Sequence, residues 1–455
     1  MNVAAQTIRP FQSFADNVGR FDLRGKKVLI PEMNRIGAHL LAGVFRSYGV
    51  DALVMETYKG LALGKEFTSG KECFPCQVTT GDILQFIQKE KERLGDGFDP
   101  KAYIYFMPEA TGPCRFGMYN KFQRIVLDSF PDLRKLKIGS LSTDNSYALD
   151  GMIEAGQARE FRKVAYLSVV IGDVLDRLVW RVRPYEKEPG MTDAFIEKAM
   201  HAMARAFEMY GAVKDFDRIL DELDRIVLRG KAVIDPAIPA KPLIGIVGEI
   251  YLRTHVQSNQ DVIKSLERYG AEVVNASVAE WVDYTTYDRV RAARTKMMLS
   301  LRQRRFENLR GCLKEMVKFG GDLLYQNIRH DQVYRRVERL LDVAPEHRVS
   351  HLERVLNRDG LYSFALGTEA CLSIAGIMEY VREGYNGVVN VYPFTCMPST
   401  VTSSIVRPIM NRNKIPFLDA PYDDSYQPGR EAAIRTFMFQ ASQHFSKHGR
   451  KSHVS

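Results

Sequence analysis

Five of the chain's six cysteines stand where a turn-like context joins a thiol to proline, glycine or a small residue. Cys73 and Cys76 share KECFPCQVTTGD (71–82), Cys114 lies in GPCRFG (112–117), Cys371 in GTEACLS (367–373) and Cys396 in PFTCMPS (393–399). In each, a strand pattern gives way to a helical one. Thiolates carried on loops around one crevice are the donor set of a soft metal or an iron–sulfur cluster. Cys312, in the charged helical run RGCLK (310–314), reads as structural.

The bland readings stand beside this one. Cys73-x2-Cys76 also suits a redox dithiol. Zinc prefers four ligands in compact pairs, whereas Cys114, Cys371 and Cys396 lie far along the chain, as ligands gathered from several loops would. Cys371 serves equally as a buried small hydrophobe. Arg115, beside Cys114, is a candidate charge-assisted donor to cluster sulfur, and Glu249 and His255, just past a strand, are candidates to line the crevice. A packing role explains His255 as well. His347 and His351 are one helical turn apart, but Arg348 stands where a metalloprotease has Glu, so they read as a solvated helix face.

The elements that must position these residues alternate. Strand patterns at 27–31, 51–58, 102–107 and 137–141 are separated by helical ones, and Cys73, Cys76 and Cys114 fall in the connections. The pattern repeats after a helical stretch: strands at 243–248, 272–275, 387–392 and 415–419, with Cys371 and Cys396 between helices and strands. Such alternation predicts an α/β protein of two Rossmann-like or flavodoxin-like parallel-sheet lobes with helical insertions. The expected plan is an N-terminal arm (1–25), a first lobe (26–150), a helical connector (151–240), a second lobe (241–284 and 357–444) interrupted by a helical insertion (285–356), and a basic tail (445–455) holding Lys447, His448, Arg450, Lys451 and His453. In each lobe one thiol context opens the helix after the second strand and another follows the third. The carboxyl ends of parallel strands are where open α/β sheets bind ligands.

Composition narrows the class. At 455 residues, 45% hydrophobic and 26% charged, the chain has the balance of a soluble globular protein of two or three domains. No apolar run approaches the roughly 18 residues of a membrane span, and the first 25 residues lack the apolar core of a secretory signal. A cytoplasmic location, with reduced thiols, is expected. The net charge of +9 comes without a zinc-finger spacing, helix-turn-helix cue or aromatic RNA-binding motif, so it reads as a basic surface for an acidic partner rather than a nucleic-acid site. GLALGK (60–65) is one residue short of a phosphate loop and is followed by Glu66; no G-x-G-x-x-G follows any strand. The chain therefore offers no recognisable ATP or dinucleotide site, and no catalytic residue is assigned.

KECFPCQVTTGD (71–82), GPCRFGMY (112–119), PFTCMP (393–398) and GIVGEIYLR (245–253) with Ser258-Asn259 resemble the 2-hydroxyacyl-CoA dehydratase superfamily, above all its iron–sulfur proteins related to CoA-substrate-specific enzyme activases, here without the ATPase module. The resemblance runs from about residue 25 to 440. It implies an oxygen-sensitive 4Fe–4S or double-cubane 8Fe–9S cluster between two lobes, fed electrons by a separate activator ATPase of the actin/hexokinase-like fold. Cys73, Cys114 and Cys396 match motif cysteines, and Cys76 matches relatives with the C-F-P-C form; Ser399 departs from the usual glycine after C-M-P. The implied role is that of an electron-accepting component of an ATP-coupled reductase, working as a dimer. A dehydratase (lyase) subunit acting on an acyl-CoA and a non-catalytic two-lobed module binding a small molecule are the rivals.

Overall fold

The computed structural model describes residues 10–143, 147–154, 156–344 and 346–450. The first lobe is built from α1 (Pro10–Asn17), β1 (Val18–Gly19), β2 (Lys27–Ile30), α2 (Arg35–Ser47), β3 (Asp51–Val54), α3 (Leu61–Phe67), α4 (Phe74–Leu94), β4 (Tyr103–Phe106), α5 (Tyr119–Asp128) and β5 (Lys137–Gly139). Its sheet is wholly parallel, in the order β1-β5-β4-β2-β3. Three helices follow: α6 (Ala158–Val182), α7 (Met191–Tyr210) and α8 (Phe216–Val233). The second lobe comprises β6 (Leu243–Gly248), α9 (Val262–Arg268), β7 (Glu272–Asn275), the long helices α10 (Ala279–Arg302) and α11 (Leu309–Glu338), then α12 (Val349–Asp359), α13 (Ala370–Glu383), β8 (Gly387–Pro393), α14 (Met397–Asn413), β9 (Phe417–Tyr422) and α15 (Arg430–His448). Its sheet is also wholly parallel, in the order β7-β6-β8-β9. The protein is thus α/β, with two parallel sheets among many helices.

Setting β1 aside, both sheets have one plan: the first strand of the lobe lies between the second and the third, and the fourth flanks the third. Chain direction across the sheet reverses between first and third strands, so each lobe has a switch point there, between β2 and β4 and between β6 and β8. The strands are short apolar runs. All of Leu-Ile-Gly-Ile-Val-Gly in β6 and Tyr-Ile-Tyr-Phe in β4 is buried, as parallel strands covered on both faces require.

Helix α6 is the spine between the lobes. Phe161, Val164, Leu167, Val170, Ile171, Val174, Leu175 and Leu178 recur at helical spacing and belong to the largest core, with side chains from α2, α7, α8 and α11. Asp173, on the same helix, accepts from Val278 N at 2.8 Å and Ala279 N at 2.7 Å, satisfying the orphan donors at the start of α10. Among the described residues no helix is long and apolar enough to cross a membrane.

Several boundaries differ from the sequence-based expectation. The segment read as an N-terminal arm carries α1 and the two-residue β1, which extends the first sheet beside β5. The second strand ends at Val54, and the loop expected before Cys73 contains α3. The near-miss phosphate loop has a packing role: a Cβ on Gly60 or Gly64 would collide with the backbone of Gly81 or Gln77, so these glycines let α3 lie directly on α4. The helix after Cys73 begins at Phe74, ahead of the expected 78. The basic tail is not free throughout. Lys447 and His448 finish α15, and Arg450 pairs with the buried Glu272; Lys451 and His453 lie outside the described residues.

Candidate functional site

The crevice lies where the switch points of the two lobes face each other. From the first lobe, Cys73 is the N-cap of α4, Cys76 sits in that helix's first turn, and Cys114 precedes the single turn Arg115–Met118 after β4. From the second, Cys396 is the N-cap of α14, after β8. Cys73 and Cys396 are matched in form: each opens a helix with proline in its first two positions, and neither end has a side-chain cap. Two helix N-termini without side-chain caps thus flank the crevice, and a helix N-terminus favours negative charge beside it.

All four thiols are held neutral by their surroundings. Burial pushes Cys73 up to about 12, and the Glu249 carboxylate adds to this, while the Tyr119 hydroxyl and the Arg115 guanidinium oppose it. Burial likewise raises Cys76, Cys114 and Cys396, and Glu369 raises the last two further. Cys114 and Cys396, from opposite lobes, lie close enough for each charge to bear on the other. Cys73, Cys76 and Cys114 all act on Tyr119, whose ring is buried among them. None of the six cysteines is in a disulfide.

Two acids share the crevice. Glu249 follows β6, and its carboxylate accepts from Tyr251 N at 3.1 Å and Leu252 N at 2.8 Å. Burial, then the neighbouring Glu369, still raises it to about 7. Gly248 makes the turn possible, with φ +119° and no room for a Cβ against the Val391 carbonyl. Glu369 caps α13 at 5% exposure and is raised by burial, with Arg253 opposing. The backbone around the crevice is strained: Cys73 (φ 99°), Thr368 (φ 68°) and Thr395 (φ 65°) occupy the left-handed region without being glycine. For a β-branched threonine that is a genuine outlier, costing on the order of 1–3 kcal/mol.

The Arg115 guanidinium, beside the Cys73 thiol, also bonds main-chain carbonyls of both lobes. Its Nη1 donates to the Lys71 carbonyl at 2.5 Å, and its Nη2 donates to the Thr395 carbonyl at 3.0 Å. The guanidinium thus ties the loop before Cys73 to the loop before Cys396, across the lobes. His255 makes a second tie. It is 3% exposed, stacks on Tyr251 with ring centroids 4.5 Å apart, and accepts at Nδ1 from Ser258 N. Its Nε2 therefore carries the proton and donates to Thr57 Oγ1 at 3.0 Å, and Thr57 donates to Asp82 at 2.7 Å. Burial lowers this imidazole to about 4 and keeps it neutral. His255 is a satisfied packing residue at the lobe junction, the alternative reading of the sequence.

Cys371 stands apart from the other four. It is fully buried in the second lobe's core at the start of α13, with its sulfur directed at the Gly367 carbonyl at 3.4 Å and the Ser363 carbonyl at 3.7 Å. Tyr284, Arg291 and Asp288 are its polar neighbours, not the other thiols. Cys312 is buried in α11. Two crevice residues have no sequence signal of their own: Tyr119 ends the second motif, and Glu369 sits two places before Cys371, with partners that only tertiary packing supplies.

Beside Cys114, Tyr119, Glu249 and Glu369 opens a cavity of about 340 Å3, which runs between the lobes toward α6, α10 and α11 along Phe106, Phe161, Val169 and Trp281. Among the described residues the thiols do not cage a single ion: the group of His, Cys, Asp or Glu ligand atoms lying within 4.8 Å of one another is His347, His351 and Glu379. One zinc needs its ligands that close. In a 4Fe–4S cubane each thiolate binds its own iron, so its sulfurs stand farther apart than those around one zinc. The donors on offer are three buried thiols and the half-buried Cys114, drawn from two lobes beside two uncapped helix ends and an apolar wall. No protein-family model matches the chain, and no curated protein does, so the reading rests on these residues.

Proposed function

We propose that the crevice holds an iron–sulfur cluster, with Cys73, Cys114 and Cys396 as ligands and Cys76 as a further one. The protein accepts low-potential electrons from a separate ATP-dependent activator, for reductive chemistry of the 2-hydroxyacyl-CoA dehydratase or double-cubane type that its motifs resemble. The observation that carries this is the meeting of thiols from both lobes at the carboxyl ends of two parallel sheets, on loops held in strained backbone. The cytoplasm, where thiols stay reduced, is the compartment that suits it.

When bound, such a cluster supplies electrons one at a time at low potential. The chain's own residues do the rest. Arg115 holds the two ligand loops together through their carbonyls. Tyr119 donates a hydrogen bond to the Cys73 sulfur, a contact that tunes potential. Glu249, raised to about 7, holds a proton on its carboxyl near neutral pH and can give it to a substrate in the crevice as negative charge arrives. The aromatic wall of the adjoining cavity keeps water away.

Purified without oxygen, the protein is expected to be brown, with at least about four irons and matching acid-labile sulfide per chain and an EPR signal on reduction. Zinc as the main metal, or a colourless protein, overturns the reading in favour of the binding module. Reduction is expected to need an added activator with MgATP, or a strong chemical reductant. ATP hydrolysis by this chain alone, or full reduction by a mild donor, overturns the acceptor role. The cavity beside Glu249 favours one second reading, a dehydratase subunit that takes an acyl-CoA directly. Turnover of such a substrate by the reduced protein decides it.

A further inference from the structure

A second cluster of ligating side chains lies in the second lobe, on α12 and α13, remote from the crevice cysteines. His347 stands two residues before α12 and His351 in its first turn, so their rings stack one turn apart, with centroids 5.3 Å apart and planes at 29°. Glu379 and Glu383 are one turn apart on α13 and face them. His347 Nε2 lies 2.7 Å from Glu383 Oε1, and His351 Nε2 lies 3.0 Å from Glu379 Oε2. One ligand atom each from His347, His351 and Glu379 falls within 4.8 Å of the others.

Ordinary ion pairing does not account for all of this. His351 Nε2 is shielded from solvent and makes no aligned hydrogen bond, although Glu379 is at contact distance. Glu379 is 6% exposed. A small polar cavity of about 30 Å3, bordered by His347, Glu383 and Glu280, adjoins the group and has room for a water or an ion. The other charges on it are Arg382, paired with Glu379, and Arg177, Arg253 and Glu346 across the cavity.

We propose that His347, His351 and Glu379, with Glu383 as the fourth ligand, form a binding site for one zinc ion. Two neutral imidazoles and two carboxylates balance its charge and match its preference for nitrogen and oxygen donors. Ligands about 2.0–2.1 Å from a tetrahedral ion stand about 3.4 Å apart, so the three grouped side chains draw in from within 4.8 Å and Glu383, now on His347, swings toward them to complete the site. The ion staples the start of α12 to the end of α13. Because Glu369 is the N-cap of α13, the staple fixes the far end of the helix that presents this acid to the crevice.

The site is independent of the cluster proposal and is tested in its absence. Full-length protein carrying Cys73→Ser, Cys114→Ser and Cys396→Ser, stripped with a chelator, is titrated with zinc by calorimetry and with cobalt by absorption. The expected result is one ion per chain, a cobalt spectrum of four-coordinate nitrogen and oxygen ligation, and a Tm raised by zinc. His351→Ala, at a half-exposed position that folding tolerates, is expected to weaken binding at least tenfold and to abolish the Tm rise; Glu379→Gln is the second variant and is expected to do the same. No binding up to millimolar zinc, or binding unchanged in both variants, overturns the proposal and leaves the four side chains as a ladder of ion pairs.

Discussion

The two lobes share a sheet plan and differ in what they bring to the crevice. The first supplies three sulfurs: Cys73 and Cys76 at the start of α4, and Cys114 after β4. The second supplies one, Cys396, and both acids, Glu249 and Glu369. The difference follows from what fills the space after the second strand. In the first lobe that space holds α3 and α4, and the glycine-paved contact of these helices sets Cys73 and Cys76 at the crevice. In the second lobe the long pair α10 and α11 intervenes before α13, whose first turn then offers Glu369 to the crevice while Cys371 turns into the core. One plan has thus yielded a half that is rich in soft donors and a half that is rich in protons. The lesson is that equivalent positions in a repeated fold need not do equivalent chemistry.

The sharpest way to break this comparison is to remove one sulfur from each side. Cys114→Ser and Cys396→Ser are each expected to cost most of the bound iron and the EPR signal, because a cluster seated between the lobes needs a ligand from both. Loss in Cys114→Ser alone would mean that the first lobe holds the metal without its partner. Cys371→Ser is expected to leave iron in place, since its sulfur faces backbone carbonyls.

The proton-bearing side is probed by pH. Glu249 is raised from an ordinary 4.5 to about 7 in the fold. Between those values the folded chain binds more protons than the unfolded one, so this group's contribution to stability falls as pH rises through the window. Glu249→Gln removes that loss. Relative to the natural chain, the variant is expected to gain on the order of 1–2 kcal/mol at pH 8 and little at pH 5, read from urea midpoints. A gain of the same size at both pH values would show that the carboxyl does not titrate in this range.

The tie between the halves is worth less. Arg115→Ala is expected to cost about 1 kcal/mol, as loss of partly exposed hydrogen bonds does. It should also speed hydrogen exchange in the loops around Cys73 and Cys396. Unchanged exchange would place the junction's strength in the His255–Thr57–Asp82 chain instead. Smallest of all, Cys312→Ser, within α11, is expected to leave iron content and the EPR signal unaltered; a loss equal to that of the crevice cysteines would move this thiol into the site.

Much of the architecture was legible because parallel strands buried on both faces are short apolar runs: six of the expected eight lie within a residue or two of β2, β4, β5, β6, β7 and β8, and the last overlaps β9, which runs three residues further. The second strand, expected at 51–58, stops at Val54 because Met55 onward turns toward α3. Strand β1, two residues long, is too brief to leave a pattern. The four crevice cysteines were legible from proline and glycine beside a thiol. Glu369 and the His347–Glu379 group were not, because partners contributed by different helices meet only through tertiary packing. The charge of Arg115 is visible in the sequence, but its shortest contacts are to main-chain carbonyls, which no side-chain pattern records.

That last feature has an evolutionary consequence. A clasp that grips the carbonyls of Lys71 and Thr395, with one longer contact to the Thr395 hydroxyl at 3.3 Å, reads chiefly the path of the chain. Residue 71 is free to drift among amino acids while the grip persists, provided that the loop keeps its course. Selection at this junction therefore falls on one arginine and on backbone shape, and descendants of such a chain would share Arg115 long after the residues it holds had diverged.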